Sequence, residues 1–323
     1  MRIVVVCWLL AAFNAWGVSE NPDPALLKEV HFLIPAGPGG GWDGTARGVG
    51  RALKMANLVE KVTFENAAGG GGGRAIAKLI ETGSQQPNTL LISSTPIIVR
   101  SLQGIYPQGF RDMMPIASVI ADYSCFAVST ESELATFEDL ANRYRDDPRS
   151  LVVAGGSVRG NTDHFVLAKA LQLAGGDPKQ LKYLAYDGGG KAAAGLLSGE
   201  AHVLSTGLSE AIQLHKSGLL RIIAVTAPSP LSEYPALPTL RQAGYPLEFA
   251  NWRGFFAAKN LGSGQYKRMQ STLRAVVASE AFDTIRRRNG WAALHIEGDA
   301  FLKFLEEQEQ QISRLMKSVG YLR

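Results

Sequence analysis

Gly39, Gly40 and Gly41, followed by Trp42 and Asp43, are the residues whose types and spacing most directly suggest chemistry. Glycine takes positive φ without steric cost and lets another molecule approach the backbone closely. Free N–H groups at a helix start, added to the helix macrodipole, make a ready site for an anion. Asp43 is placed to cap such a helix. The segment Pro35-Ala36-Gly37-Pro38-Gly39-Gly40-Gly41-Trp42-Asp43 must then lie between a strand and a helix. A buried-type strand reads from Val30 to Ile34 before it. After it, Thr45 to Lys54 carries an apolar stripe at Val49, Leu53 and Ala56. A tight turn needing only flexibility would use the same glycines.

Other chemistries have weaker footing. Gly39 to Gly44 also satisfies G-x-G-x-x-G, and Glu65 follows about twenty residues later, the dinucleotide spacing. Bulky Trp42 in the turn and the lack of a hydride-relay pair count against it. So does an N-terminal export signal, which sends the chain where nicotinamide cofactors are not normally supplied. No G-x-x-x-x-G-K-[ST] and no G-x-S-x-G occurs. His164 beside Asp163 is a sequence neighbour rather than a relay. It starts a helix and either donates to an anion or bonds its own backbone. The five histidines lack ligand spacing, so no catalytic residue, metal or cofactor is expected.

The elements that must hold these residues follow from length and pattern. A chain of 323 residues, 46% hydrophobic and 19% charged, has room for about two domains. A net charge of +4 without a basic run excludes a nucleic-acid partner. Residues 1–17 read as a signal peptide: Arg2, the apolar run Ile3 to Phe13, then Ala15-Trp16-Gly17. The run is too short to span a bilayer. Cleavage there leaves Cys125 alone, as a buried core residue without a disulfide partner.

Strand and helix patterns then alternate, which argues for an α/β architecture with largely parallel sheets. A further strand reads over Val203 to Ser205. Other strands end at Asn66 to Gly73, at Ser94-Thr95, at the loop Gly155 to Thr162 and at Tyr186-Asp187. Each gives way to small, polar or glycine-rich residues before a helix. Ligands of open α/β sheets bind beyond such carboxyl ends, so two facing lobes make a cleft. Two short strands are expected near 117–120 and 125–128, a surface connection over Pro228–Pro246, and a closing helix from Asp299 to Ser318. Phe249 to Phe256 reads as a strand returning to the first lobe, which puts Trp42 and Trp252 in or beside the cleft. The boundaries are 18–128 plus 253–323 for domain 1 and 129–252 for domain 2.

In order across both lobes, the segments Pro35 to Asp43, Ala46-Arg47 and Asn66 to Gly70 form one series with Arg111-Asp112 and Pro115-Ile116-Ala117. Gly155 to Gly160 with Asp163-His164, Tyr186 to Gly190, Leu197 to Glu200, Ala224 to Ala227, Pro238-Thr239-Leu240 and Asn251 to Phe256 complete it. This series resembles the extracytoplasmic solute receptors of tripartite tricarboxylate transporters, the Bug or TctC-like proteins, over nearly the whole mature chain. It departs from them at Ala257-Ala258-Lys259, where the family usually carries a proline. The resemblance implies a two-lobed periplasmic-binding-protein fold, type II-like, with mixed, mostly parallel sheets and the cleft between lobes. It implies a periplasmic monomer, not itself membrane-spanning, that delivers a small carboxylate to membrane permease subunits. The alternatives are a receptor of the same fold serving a signalling partner, and a dinucleotide-dependent oxidoreductase.

The resemblance also implies that the first strand–helix loop and the loop Ser157 to His164 hold a carboxyl group. The expected site is therefore Pro38, Gly39, Gly40, Gly41, Trp42 and Asp43, with Ser94, Thr95, Ser157, Arg159, Gly160, Asn161, Thr162, His164, Asp187, Thr206, Asn251 and Arg253. The segment around Arg253 looks closer to the tricarboxylate-binding branch, making a citrate-like ligand the first expectation. Arg159 and Arg253 would meet its further carboxylates with paired hydrogen bonds. An interlobe salt bridge is the competing role for either. N-terminal sequencing of exported protein should find the mature chain beginning at or near Val18, in the periplasmic fraction. Met1 on cytoplasmic protein would refute this.

Overall fold

The computed structural model describes residues 25–322, so the export segment and its cleavage site lie outside the described residues. β1 (Glu29–Ile34) runs through the glycine loop into α1 (Gly41–Met55), which starts earlier than the expected Thr45. β2 (Lys61–Asn66), α2 (Gly73–Thr82), β3 (Thr89–Ser94) and α3 (Thr95–Leu102) follow. Every residue of β3 is buried, as expected of an apolar strand covered on both faces. Pro96 sits in the first turn of α3, where its missing N–H costs nothing.

β4 (Met114–Ser129) joins the two short strands expected from sequence into one of 16 residues. The polar stretch Asp122-Tyr123-Ser124 reads as a break, but Asp122 is fully buried and paired with an arginine on a neighbouring strand. Pro115 is accommodated where the register shifts between Pro115 and Ala117.

The second half begins with α4 (Phe137–Asp146), started by a capping box in which Asp139 N–H donates to Thr136 Oγ1 and Thr136 N–H donates to Asp139 Oδ2. β5 (Val152–Gly155), α5 (Thr162–Leu173), β6 (Lys182–Ala185), α6 (Gly189–Leu197), β7 (Val203–Gly207), α7 (Leu208–Lys216) and β8 (Leu220–Val225) complete it. The chain returns through β9 (Ala250–Ala257) to α8 (Ser263–Val277), α9 (Glu280–Arg288), β10 (Ala292–Ala293) and α10 (Gly298–Ser318).

The strand order is β2-β1-β3-β9-β4-β7-β5-β6. β1 is parallel to β2 and β3, and β5 is parallel to β6 and β7. Between these wings β9 runs antiparallel to β3 and β4, and β4 antiparallel to β7 and β8. β4 pairs with β9 up to Tyr123 and with β7 and β8 from Ser124 onward, so one strand serves both halves. Parallel wings require crossover helices, and each crossover delivers a helix start to the same edge.

A core containing Ile98, Phe165 and Phe301 continues from Leu33 in the first half to Leu181 in the second. α10 closes it: Phe301 packs edge-on against Trp252, with ring centroids 5.8 Å apart, and lies 5.7 Å from Phe256. Among the described residues no helix is long and apolar enough to cross a membrane. Phe301→Ala should cost about 3–5 kcal/mol of stability, the range for emptying an aromatic core position. Urea unfolding measures it, and a loss below about 1 kcal/mol would show that α10 is not part of this core.

Candidate functional site

A cavity of about 400 Å³ opens where the helices begin. Its lining includes Gly40, Gly72, Ser94, Asn161, Gly188 and Gly207, the residues that precede the first turns of α1, α2, α3, α5, α6 and α7. Asn161 accepts from the N–H of Thr162, but the other five positions provide no side-chain cap. The first turns of those five helices therefore depend on acceptors from outside their own caps, which α3, α6 and α7 find in Asn251, Glu210 and Asp122, and their dipoles converge on one volume. The two halves meet there glycine to glycine: a Cβ on Gly188, whose φ is +98°, would lie 3.4 Å from the Cα of Gly40.

Ser94 also accepts from Trp42 Nε1 at 2.8 Å, which holds the indole on the wall. Asn251 Oδ1 accepts from the N–H of Thr95 at 3.1 Å, tying β9 to the start of α3. Arg253 lines the cavity yet is only 3% exposed. Its Nη2 donates to Asp122 Oδ2 at 2.7 Å and its Nη1 to Thr45 Oγ1 at 2.8 Å, while its Nε is buried without a partner. Ser209 donates to Asp122 through its N–H and its hydroxyl. Burial pushes the Asp122 carboxyl up, and Arg253 and Ser209 pull against it. Gly41 is what lets the guanidinium approach α1, since a Cβ there would fall 2.2 Å from Nη2.

Beside the exposed Asp187, two further acids share the wall. Glu210, in the first turn of α7, accepts from Gly189 N–H at 3.2 Å and from Thr206 Oγ1 at 2.6 Å. Asp163, in the first turn of α5, faces Gly156 N–H and the Ser157 hydroxyl. Burial and then the charge of Glu210 push its carboxyl up to about 7.

Of the expected site residues, Gly40, Gly41, Trp42, Ser94, Ser157, Asn161, Thr162, Asp187, Asn251 and Arg253 line this cavity. Pro38, Gly39, Asp43, Thr95, Arg159, Gly160, His164 and Thr206 are not among its lining residues, and several have another task. Asp43 is not a cap but sits inside α1 and reaches back to accept from Gly39 N–H, Arg47 and Asn66. Burial opposes its ionisation, yet those donors outweigh it and hold the carboxyl below its usual range.

His164 accepts from Gly160 N–H at 2.9 Å through Nδ1, and its ring lies against Tyr183 and Tyr321. Burial, aided by Arg159, pushes it down to about 4, so it is a neutral anchor of its loop. Arg159 itself is exposed. Trp252 is buried in the core rather than beside the cleft. Glu65 pairs with Lys78 and His31 and is absent from the cavity lining, so the dinucleotide spacing does not bring it to the site. Glu210 was not expected. Its one signal is an acid in the first turn after a strand ending in Ser205-Thr206-Gly207.

A family model described as "Tripartite tricarboxylate transporter family receptor" matches residues 46–321. Protein BugT of Bordetella pertussis is 28% identical over 267 residues, covering 80% of this chain and 79% of BugT. A protein of R. palustris solved with adipate superposes with a TM-score of 0.83 at 20% identity, over 90% of this chain and 97% of that one. MatC of Rhodopseudomonas palustris with bound malate gives 0.78 at 18% identity, over 90% and 98%. The two solved structures share this fold.

Removing Asp122 would leave Arg253 buried without its counter-charge. Asp122→Ala should therefore cost about 3–5 kcal/mol, and Asp122→Ala combined with Arg253→Met should recover part of the loss. Denaturant titration of the three proteins tests this. Equal stabilities for single and double variants would mean that the pair is not what constrains Arg253.

Proposed function

The chain belongs to the tripartite tricarboxylate transporter receptor family, and from that premise we propose that its cavity captures a small di- or tricarboxylate in the periplasm. The protein is a receptor and not an enzyme. The convergence of six helix starts on one glycine-lined cavity carries the reading of the ligand, because such a site stabilises an anion with backbone donors alone. One carboxylate fits against Gly40, Gly41 and Trp42 from the first half, with Gly188 approaching from the second.

Adipate and malate in the two similar structures support dicarboxylates as the class to try first. Citrate remains the expectation taken from the Arg253 segment. The halves close on the ligand by bending where β4 and β9 pass between them, and the closed monomer is the form offered to the membrane subunits. Burial of a carboxylate between the two glycine loops links closure to occupancy, since neither loop alone surrounds it.

Titration calorimetry with adipate, malate and citrate should show saturable binding of at least one at a single site. Tryptophan fluorescence should change with it, and Trp42→Phe should remove that change while Trp252→Phe keeps it. Failure of all three to bind would refute a di- or tricarboxylate receptor.

A further inference from the structure

The charged residues in the cavity lining are Asp163, Asp187, Glu210 and Arg253. Arg253, the sole cation among them, is already matched by Asp122 at 2.7 Å. Asp187 is exposed and pairs with Lys191 at 3.3 Å. Asp163 and Glu210 remain, both on the second half, facing whatever extends from the glycine loops of the first. Glu210 is committed to α6 and Thr206 through both oxygens. The wall that would receive a second carboxylate thus offers carboxylates of its own. Two carboxylates in a poorly hydrated cavity do not both stay ionised; they share one proton.

We propose that the second carboxyl of a dicarboxylate enters this cavity as the protonated acid and donates its hydrogen bond to Asp163, so that binding takes up one proton. The proposal rests on the reading of the cavity as a carboxylate site and names the form of ligand that the site selects. The groups facing Asp163 are Glu210 on α7, Arg253 on β9, Tyr183 on β6 and Cys125 on β4, with Ser157 and Gly156 on its own loop. Tyr183 and Cys125 are pushed well up by burial and stay neutral, and His164 next to Asp163 stays neutral as well. Asp163 is then the group beside the ligand that can set the proton balance, and burial and then the charge of Glu210 have already moved it to about 7. The proton comes from solvent at neutral pH, where a free dicarboxylate is a dianion. It lies between the ligand oxygen and Asp163 and leaves with the ligand on release.

Calorimetry with adipate in buffers of different ionisation enthalpy reads the proton count directly. About one proton should be taken up per ligand near pH 7.5, and affinity should fall about tenfold per pH unit above that point. Asp163→Asn, checked for folding by circular dichroism and melting temperature, should lower the proton count to near zero and flatten the pH profile. The monoamide of adipic acid, whose far end is neutral at every pH, should bind the wild-type protein without the tenfold fall per pH unit above pH 7.5. That arm stands even where the variant fails to fold.

Saturable adipate binding with no proton uptake, or affinity that rises with pH, would overturn the proposal and leave the receptor reading intact. Tighter binding of 6-aminohexanoate than of adipate would also overturn it, in favour of an ammonium at the acidic wall. Failure of adipate, malate and citrate to bind from pH 5 to 8 would remove the receptor reading, and this proposal with it.

Discussion

Helices that begin at a common point bring to it a set of backbone N–H groups with nothing of their own to bond. Each such donor must find an acceptor, from a side chain, water or a ligand. Here six helices begin around one cavity, and five of the six preceding residues give no side-chain cap. The parallel wings of the sheet dictate this arrangement, because every crossover returns the chain to the same edge before the next helix. The glycines are a consequence: side chains at positions 40, 41 and 188 would fill the space the donors share or strike Arg253. Asn251, Glu210 and Asp122 meet first-turn donors of α3, α6 and α7, which leaves the starts of α1 and α2 as the uncapped ones. With Asp163 and Glu210 on the same wall, the cavity is built for an anion and still unwelcoming to a fully ionised dicarboxylate.

Arg253 lines the cavity and at the same time carries a buried ion pair of the fold. Its ion pair joins β9 to β4, and its contacts extend to Thr45 on α1 and through Asp122 to Ser209 on α7. A buried ion pair adds little to stability once its desolvation is counted. What it does here is tie elements of both halves together beneath the cavity. Nε is unpartnered, and Nη1 and Nη2 each give one hydrogen to the fold, so the guanidinium keeps donors beyond those held by Thr45 and Asp122.

Local features of the fold were legible in the sequence. The glycine loop, the capping box at Thr136 and Asp139, Pro96 at a helix start and the closing helix from about Asp299 each announce themselves within a few residues. So did the lining glycines, since a strand followed by glycine and then a helix stripe has few other forms. The failures share one physical cause. Asp122 reads as a strand break until its partner 131 residues away is known, and then β4 continues through it. His164 looks like an anion donor until Tyr321, 157 residues later, is seen stacked on it. Trp252 alternates along β9 in the same way whether its face meets the cleft or α10. Long-range partners decide whether a polar or aromatic group faces ligand, and one-dimensional spacing carries no record of them.

β9 lies between β3 and β4, yet 120 residues separate it from the end of β4. A nascent chain therefore makes β1 to β4 with the central place of their sheet vacant. β3, buried along its whole length in the finished protein, has no second neighbour until residue 257 has emerged. The strands and helices from α4 to β8 are contiguous and find their partners among themselves and on β4, which is already present. Loop closure over so long a span is slow, and an open apolar edge is an invitation to aggregate while it lasts. The second half thus has the means to consolidate first, and the first half is finished last by a strand threaded in from beyond it. A chain held unfolded until it is complete escapes that interval.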